Sequence, residues 1–234
     1  MKRVAFITGM QTEARCLGVL TRYLPPEQRP YIHCAGPGPE QAAIACEHID
    51  KQTISGIASI GVAGGLDPAL AAGTILVPSA LVTKDNQLIG IDPQWRANLS
   101  ATLPFKPPST LHMGVNVAIT NTKDKERLFQ EYKANAVDME SHILGKYAKE
   151  RGLPFILIRI VADTAKDSIP EAALAGLNKT GSILPFQVLR RLVSNPGQIP
   201  SMLQLARNSK AAMNALKTIP RPAIEVLCQA KVVD

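Results

Sequence analysis

A chain of 234 residues, 46% hydrophobic and 19% charged, can bury one sizeable core, so its composition favours one large domain with an appendage over two small domains. Its four cysteines form no CxxC pair and no cluster of metal-ligand spacing with the four histidines, which indicates reduced, mostly buried thiols. No leader precedes the first apolar run and no eighteen apolar residues run together, so we expect a cytoplasmic protein without a membrane span.

The net charge of +7 is concentrated at the end of the chain. From Thr180 onward there are seven lysines and arginines against two acids, whereas the first 179 residues have little excess charge. Such a basic end can meet nucleic acid, an anionic membrane surface or only water. Aromatic residues make up 4% of the chain, and Phe186 is the only one beyond Thr180. Because no base-stacking platform accompanies the charge, we expect no nucleic-acid binding.

The beginning of the chain contains an apolar run followed by apolar residues at helical spacing. Residues 3–8 form an apolar run and residues 11–23 repeat apolar side chains at helical spacing, which predicts a strand followed by a helix. Glu13 falls in the first turn of that helix. There it either faces the crevice at the end of the strand or complements the helix dipole at the surface. A short strand at 31–34 and a helix at 40–51 follow.

A glycine-rich stretch at residues 61–67 follows an apolar strand at 57–60. We predict a turn there, whose small side chains let a flat ring or a sugar lie against the main chain; the alternative is an ordinary tight turn. The chain then becomes β-rich, with an alternating strand at 110–120 and a helix at 123–133. Strands alternating with helices predict an α/β protein, and the β-rich middle predicts a mixed sheet.

Two carboxylates lie where predicted strands end. Glu140 follows the short apolar run 134–137, and Asp163 follows the apolar strand 155–161. Ligands of open α/β sheets bind beyond the carboxyl ends of strands, so these side chains would reach one crevice. The alternative is an acid that favours the start of the next helix and an aspartate that caps the next turn.

The last third of the chain is helical and basic. Helices at 185–193 and 199–216 are amphipathic, a pattern typical of helices that cover a core face. The alternative is attachment to a membrane surface or to a lipid substrate. We divide the chain into a main domain (1–180), a basic amphipathic extension packed on it (181–220) and a tail (221–234).

Four motifs in this order make residues 2–167 resemble the nucleoside phosphorylase and nucleosidase superfamily. They are Thr8-Gly9-Met10-Gln11-Thr12-Glu13, similar to the first turn of nucleosidases; Gly61-Val62-Ala63-Gly64-Gly65-Leu66, similar to the glycine turn; Ala136-Val137-Asp138-Met139-Glu140, similar to the ribose-binding segment; and Arg159-Ile160-Val161-Ala162-Asp163, similar to the strand with the catalytic aspartate. The resemblance implies a three-layer α/β fold, with a mixed central sheet flanked by helices and a C-terminal helical extension. It also implies a homodimer or a larger homo-oligomer.

Residues 168–177 and 184–207, together with Asp138-Met139-Glu140-Ser141-His142, resemble the hopanoid-associated branch of that superfamily. Its members are taken to remove adenine from adenosylhopane, leaving a ribosylated or phosphoribosylated hopane. The resemblance implies a lipid-linked adenine nucleoside as the partner, no metal or organic cofactor, and a cytoplasmic enzyme beside the inner face of the membrane. Each hopane methylene left in water would cost about 0.8 kcal/mol, so we expect the basic helices to dock on that membrane.

Cleavage of an N-glycosidic bond needs a proton for the leaving base and stabilisation of an oxocarbenium-like sugar. By resemblance, Asp163 protonates the base, Glu13 activates water and Glu140 holds the ribose hydroxyls. Met139 packs on the sugar face. The other predicted site residues are Val62, Ala63 and Gly64 at the sugar and nucleophile turn, Thr120, Asn121, Thr122 and Lys123 in the base pocket, and Asp138 and Arg159 in supporting positions.

Val62 stands where relatives that contact phosphate or water at this turn usually have Ser or Thr, and the first turn lacks the arginine that phosphorylases arrange for phosphate. The motifs therefore favour hydrolysis, with phosphate as an alternative co-substrate. Three other functions stay open: a methylthioadenosine/adenosylhomocysteine nucleosidase, a purine nucleoside phosphorylase and a non-catalytic nucleoside-binding protein. A wide apolar cavity on the 5′ side would favour the polycyclic tail, and a small closed one the methylthio group.

Overall fold

The computed structural model describes residues 2–230, and within them nine strands join in one mixed sheet. In chain order the strands are β1 (Arg3–Thr8), β2 (Tyr31–Cys34), β3 (Ile54–Gly65), β4 (Ile75–Leu76), β5 (Ala80–Thr83), β6 (Leu88–Gly90), β7 (Leu111–Gly114), β8 (Ala136–Asp138) and β9 (Phe155–Asp163). The apolar runs of the sequence form the centre of this sheet. A strand covered on both faces needs apolar side chains at nearly every position, and all nine residues of β9 are buried.

The order of the strands brings the ends of β8 and β9 to the same place. Along the sheet the order is β2-β1-β3-β8-β7-β5-β6, and β9 pairs with β3 and β4 off this path. β9 is parallel to β3 and places Asp163 opposite Gly64. β8 is antiparallel to β3 and places Val137 opposite the same glycine, one residue before Asp138. Asp138 and Asp163 therefore both lie beside the end of β3.

Helices flank this sheet. They are α1 (Gln11–Leu20), α2 (Pro39–Asp50), α3 (Pro93–Thr102), α4 (Thr122–Tyr132), α5 (Ser141–Glu150), α6 (Glu171–Ala175), α7 (Pro185–Ser194), α8 (Ile199–Lys217) and α9 (Arg221–Leu227). α5 packs against β3, β5, β7 and β9, and α8 packs against β9. The predicted α/β fold, with a mixed central sheet, flanking helices and helices at its C-terminal end, is confirmed. Between residues 2 and 230, no helix combines the length and the apolar composition needed to cross a membrane.

The prediction of a turn at residues 61–67 is wrong for its first five residues, because β3 continues through Gly65. The small side chains of this stretch are explained by a close contact instead. A Cβ added at Gly61 would lie 3.0 Å from Oε1 of Glu13, closer than ordinary contacts allow. Glycine is therefore needed at this point of the strand because a carboxylate packs against its main chain.

Other differences concern the length and number of elements. The predicted strand at 110–120 is short, since β7 ends at Gly114. Two helices, α3 and α9, are absent from the sequence-based prediction, and they pack together: the Trp95 indole of α3 donates a hydrogen bond to the Val226 carbonyl at 3.0 Å. α9 occupies part of the segment predicted as a tail, and residues 1 and 231–234 lie outside the described residues.

Candidate active site

A cavity of about 530 Å³ opens where β1, β3, β8 and β9 end. Its lining includes four carboxylates, of which Glu13, Asp138 and Asp163 are buried while Glu140 is partly exposed to the cavity. The two strand-end acids of the sequence and the first-turn glutamate thus meet in one place. Carboxylates gathered in a site with little water can hold a substrate and move protons.

Glu13 is held by three backbone amides. Its Oε2 accepts hydrogen bonds from the amides of Gly9 at 3.1 Å and Met10 at 2.9 Å, and its Oε1 accepts one from Val62 at 2.8 Å. Burial raises the pKa of the Glu13 carboxyl, although these amide donors act in the opposite direction. The result is a fixed carboxylate that is more basic than an exposed one, as a base for water requires.

Glu140 follows β8 and begins α5. Its Oε1 accepts a hydrogen bond from the Gly38 amide at 2.7 Å, and Gly38 has a φ of 96°, which glycine adopts without strain. In the described part of the chain, Oε2 takes part in no hydrogen bond. Burial and the negative charge of Asp138 raise the pKa of Glu140 to about 7. The second oxygen is therefore available to a ligand hydroxyl.

Asp138 is fully engaged in the structure around it. Its Oδ1 accepts hydrogen bonds from the Glu140 amide at 3.1 Å and from the Ser141 amide and hydroxyl at 2.9 and 2.7 Å. Its Oδ2 bonds to Arg159 Nε and lies 3.1 Å from His112 Nε2. Burial alone would raise the pKa of Asp138, but Arg159 and His112 hold it well below its usual range. These contacts suit a residue that orients Glu140 rather than one that exchanges a proton.

Asp163 is paired with Lys125, which sequence reasoning missed. Lys125 on α4 is fully buried; its ammonium bonds to Asp163 Oδ2 and donates to the carbonyls of Thr164 at 2.7 Å and Asp167 at 2.8 Å. Burial raises the pKa of the Asp163 carboxyl, and Lys125 opposes this rise. One signal was present in the sequence: Lys125 lies three residues before the buried Leu128, on the apolar face of α4.

The four residues predicted for the base pocket, at positions 120–123, do not line this cavity. Thr120 accepts a hydrogen bond from the Ile169 amide at 2.8 Å, and Asn121 caps α4 through the Asp124 amide at 2.8 Å. Neither they nor Thr122 and Lys123 line the cavity; the adjoining Ala118 and Ile119 do. The physical reason is that residues 120–123 lead into α4 and form its cap and first positions. Met139 and the β3 residues Val62, Ala63 and Gly64 do line the cavity.

A large part of the cavity lining, which we call the apolar end, consists of apolar side chains from the C-terminal helices. Side chains from α6 to α8 and their connections line it, among them Leu174, Leu177, Ile183, Val188, Met202 and Leu205. A cavity of this volume lies within the usual range for small-molecule sites. The site therefore has a polar end that can perform acid–base chemistry and an apolar end that can bury a hydrophobic group.

Comparison with known proteins gives one family match and several structural matches. A family model described as the phosphorylase superfamily matches residues 7–184, and no curated protein matches the chain. A 5′-methylthioadenosine/S-adenosylhomocysteine nucleosidase from Colwellia psychrerythraea, solved with adenine, is similar with a TM-score of 0.68 and 17% identity over 100% of this chain and 99% of its own. A futalosine hydrolase mutant of Helicobacter pylori has a TM-score of 0.66 and 16% identity over 83% of this chain and 99% of its own. A 5′-methylthioadenosine/S-adenosylhomocysteine nucleosidase from Helicobacter pylori, solved with butyl-thio-DADMe-Immucillin-A, has a TM-score of 0.66 and 16% identity over 94% of this chain and 97% of its own.

Proposed function

This chain belongs to the phosphorylase superfamily, and from that premise we propose that it hydrolyses the N-glycosidic bond of an adenine nucleoside with a large apolar 5′ substituent. One observation supports this above all. Glu13, Glu140 and Asp163 line the same cavity as the apolar side chains of the C-terminal helices. The proposed reaction needs no metal or organic cofactor, because the charge changes at base and sugar fall on carboxyl groups.

Asp163 is the proposed proton donor. As the bond between sugar and base breaks, its electron pair goes to the base, and the Asp163 proton goes to a base nitrogen so that neutral adenine leaves. A proton donor of this kind needs a raised pKa, and burial raises the pKa of the Asp163 carboxyl while Lys125 opposes this rise. Lys125 fixes the position of the Asp163 carboxylate through one oxygen, Oδ2. Asp163 then recovers a proton from solvent.

Glu13 is the proposed base for water. The oxygen of that water bonds to the ribosyl carbon as Glu13 takes one of its protons, which balances the proton lost at Asp163. The three amides that hold Glu13 keep its carboxylate in one orientation, so little reorganisation is needed during the reaction. Glu140 would accept hydrogen bonds from the ribose hydroxyls through Oε2, and Met139 would pack on the sugar.

Hydrolysis is favoured over phosphorolysis by the charge of the site. Among residues 2–230, Arg159 is the only basic one that lines the cavity. Its guanidinium already bonds to Asp138, to the Ile158 carbonyl at 3.0 Å and to the Ser59 hydroxyl at 2.8 Å. A phosphate ion would meet the Glu13 carboxylate without a free cation, whereas water needs none.

For the 5′ substituent we propose a hopane, so that the substrate is adenosylhopane and the product ribosylhopane. The resemblance of residues 168–177 and 184–207 to the hopanoid-associated branch leads to this choice, and the apolar end of the cavity fits it. Each buried methylene contributes about 0.8 kcal/mol to binding. We further propose a homodimer or larger homo-oligomer in the cytoplasm, at the inner face of the membrane.

The second candidate is a methylthioadenosine/adenosylhomocysteine nucleosidase. It is favoured by the similarity over 100% of this chain to such an enzyme solved with adenine. The two substrates share the adenosyl group, so the carboxylates would do the same chemistry on either. They differ at the 5′ side, where a methylthio group has far less apolar surface than a hopane to bury against the apolar side chains of the C-terminal helices.

The test is adenine release from adenosylhopane in detergent micelles and from methylthioadenosine, each with and without phosphate. We expect phosphate-independent release of adenine, faster from adenosylhopane, and a product that retains the free ribose. Asp163→Asn should reduce release by a factor of 100 or more, taking about 10²–10⁴ as the contribution of a positioned proton donor. Unchanged turnover in Asp163→Asn, or a ribose 1-phosphate product, would contradict the proposal.

A further inference from the structure

The outward face of α7 is apolar. Phe186, Leu189 and Val193 recur at i, i+3 and i+7, and their side chains are 77%, 59% and 75% exposed. This spacing normally forms the buried stripe of a helix that covers a core. Here the stripe faces solvent, and none of the ten residues of α7 is buried. We call these three side chains the outer face of α7.

The outer face adjoins the apolar end of the cavity. Val188 lies on the opposite side of α7 and lines the cavity, as does Ile183 just before the helix, although its side chain is largely exposed. Leu203 near the start of α8 is also exposed, next to the lining residue Met202. α7 and α8 therefore form both an exposed apolar surface and part of the wall of the cavity.

The segment that contains this surface is basic. Residues 172–224 contain no Asp or Glu and seven basic residues: Lys179, Arg190, Arg191, Arg207, Lys210, Lys217 and Arg221. Arg190 and Arg191 directly follow Leu189 on α7, and both are exposed. Pairing of two copies through the outer face would bring the Arg190 side chains beside this face close together, with no carboxylate from this segment to compensate them. An anionic partner with an apolar interior satisfies both the charge and the exposed side chains.

We propose that the outer face of α7 docks on an anionic lipid bilayer. The helix is about 15 Å long at 1.5 Å per residue, and amphipathic helices of this composition lie in the membrane plane with the apolar face about 5–10 Å below the headgroups. Phe186, Leu189 and Val193 enter that layer while Arg190 and Arg191 remain at the level of the lipid phosphates. The docking does not depend on the proposed reaction. If both are correct, an apolar 5′ substituent passes from bilayer to cavity along Ile183 and Val188 without crossing water.

The experiment is sedimentation of the full chain with phosphatidylcholine vesicles that either contain or lack phosphatidylglycerol, with no nucleoside present. The wild type should bind the phosphatidylglycerol vesicles and release them at high salt, because screening weakens attraction to a charged surface. Arg190→Gln with Arg191→Gln should weaken partitioning by a factor of about 30, since each basic residue near an anionic surface contributes about a fivefold factor.

Replacing all three outer-face residues by glutamine should abolish binding to both kinds of vesicle. Val19→Gln on α1 and Leu88→Gln on β6 are matched controls, because their side chains are 64% and 65% exposed, and both should bind like the wild type. All these side chains are exposed, so the variants should keep the wild-type Tm. The proposal is overturned if the wild type binds no phosphatidylglycerol vesicles, or if the triple variant binds them normally; dissociation of an oligomer by the triple variant would assign the outer face to a second copy of the chain instead. Adenine release from water-soluble methylthioadenosine, measured separately, reports on the reaction whichever result is obtained.

Discussion

Replacing Lys125 with methionine removes the counter-ion of Asp163 while keeping an apolar side chain in the core. The buried ammonium bonds to Asp163, to the Thr164 carbonyl and to the Asp167 carbonyl. Loss of the two carbonyl partners costs about 1 kcal/mol each at any pH. Loss of the ion pair leaves an uncompensated buried carboxylate, and breaking a buried pair in this way costs about 3–5 kcal/mol while the charge remains.

Asp163 can avoid that larger cost by binding a proton. Burial already raises the pKa of its carboxyl from 3.8, and removal of Lys125 raises it further. A carboxyl whose pKa is higher in the folded state loses stability as the pH rises above its unfolded value. Lys125→Met should therefore lose about 1–2 kcal/mol of unfolding free energy near pH 4, and about 3 kcal/mol more near pH 8.

Urea unfolding of wild type and variant at the two pH values measures this difference. Lys123→Met is the matched control, because Lys123 lies on the same helix and is exposed, and its unfolding free energy should change little at either pH. In the enzyme assay, Asp163 without Lys125 stays protonated to higher pH, so the alkaline limb of kcat/KM should move upward. Equal destabilisation of Lys125→Met at both pH values, with an unmoved limb, would refute the coupling of these two residues.

Three further predictions concern the other side of the cavity. Glu13→Gln should lower kcat at least about 100-fold with little effect on KM, because it removes the base but keeps the shape; an equal loss in both would indicate a binding role. Glu140 has a pKa of about 7, so substrate KM should rise as the pH falls through that value, and Glu140→Gln should lose this dependence. Gly61→Ala should lower kcat while changing the free energy of unfolding little, because its Cβ would lie 3.0 Å from the Glu13 carboxylate and displace it. Gly90→Ala is the control: its Cβ would meet nothing within 4 Å, so both kcat and the free energy of unfolding should stay unchanged.

The sequence predicts the strand ends well and the sides of the cavity poorly. β8 and β9 end at carboxylates, because an apolar strand that both faces cover must stop where polar groups begin. Lys125 could not be identified as buried with the same certainty, since its partner Asp163 is 38 residues away and an isolated lysine predicts solvent. A contact between residues distant in sequence also explains the wrong turn prediction after residue 60. A strand whose glycines pack against a distant carboxylate has the same local composition as a turn.

The two ends of the cavity come from separate parts of the chain. The acid–base groups lie between Glu13 and Asp163, and the apolar side chains of the C-terminal helices that line the cavity lie between Ile169 and Ser209. Reaction type and substrate range can therefore diverge independently during evolution, because a change in the later segment leaves every proposed proton-transfer group in place. In an exchange of C-terminal helices between relatives, the bond that is cleaved should stay with the first segment, and the 5′ group that is accepted should follow the second.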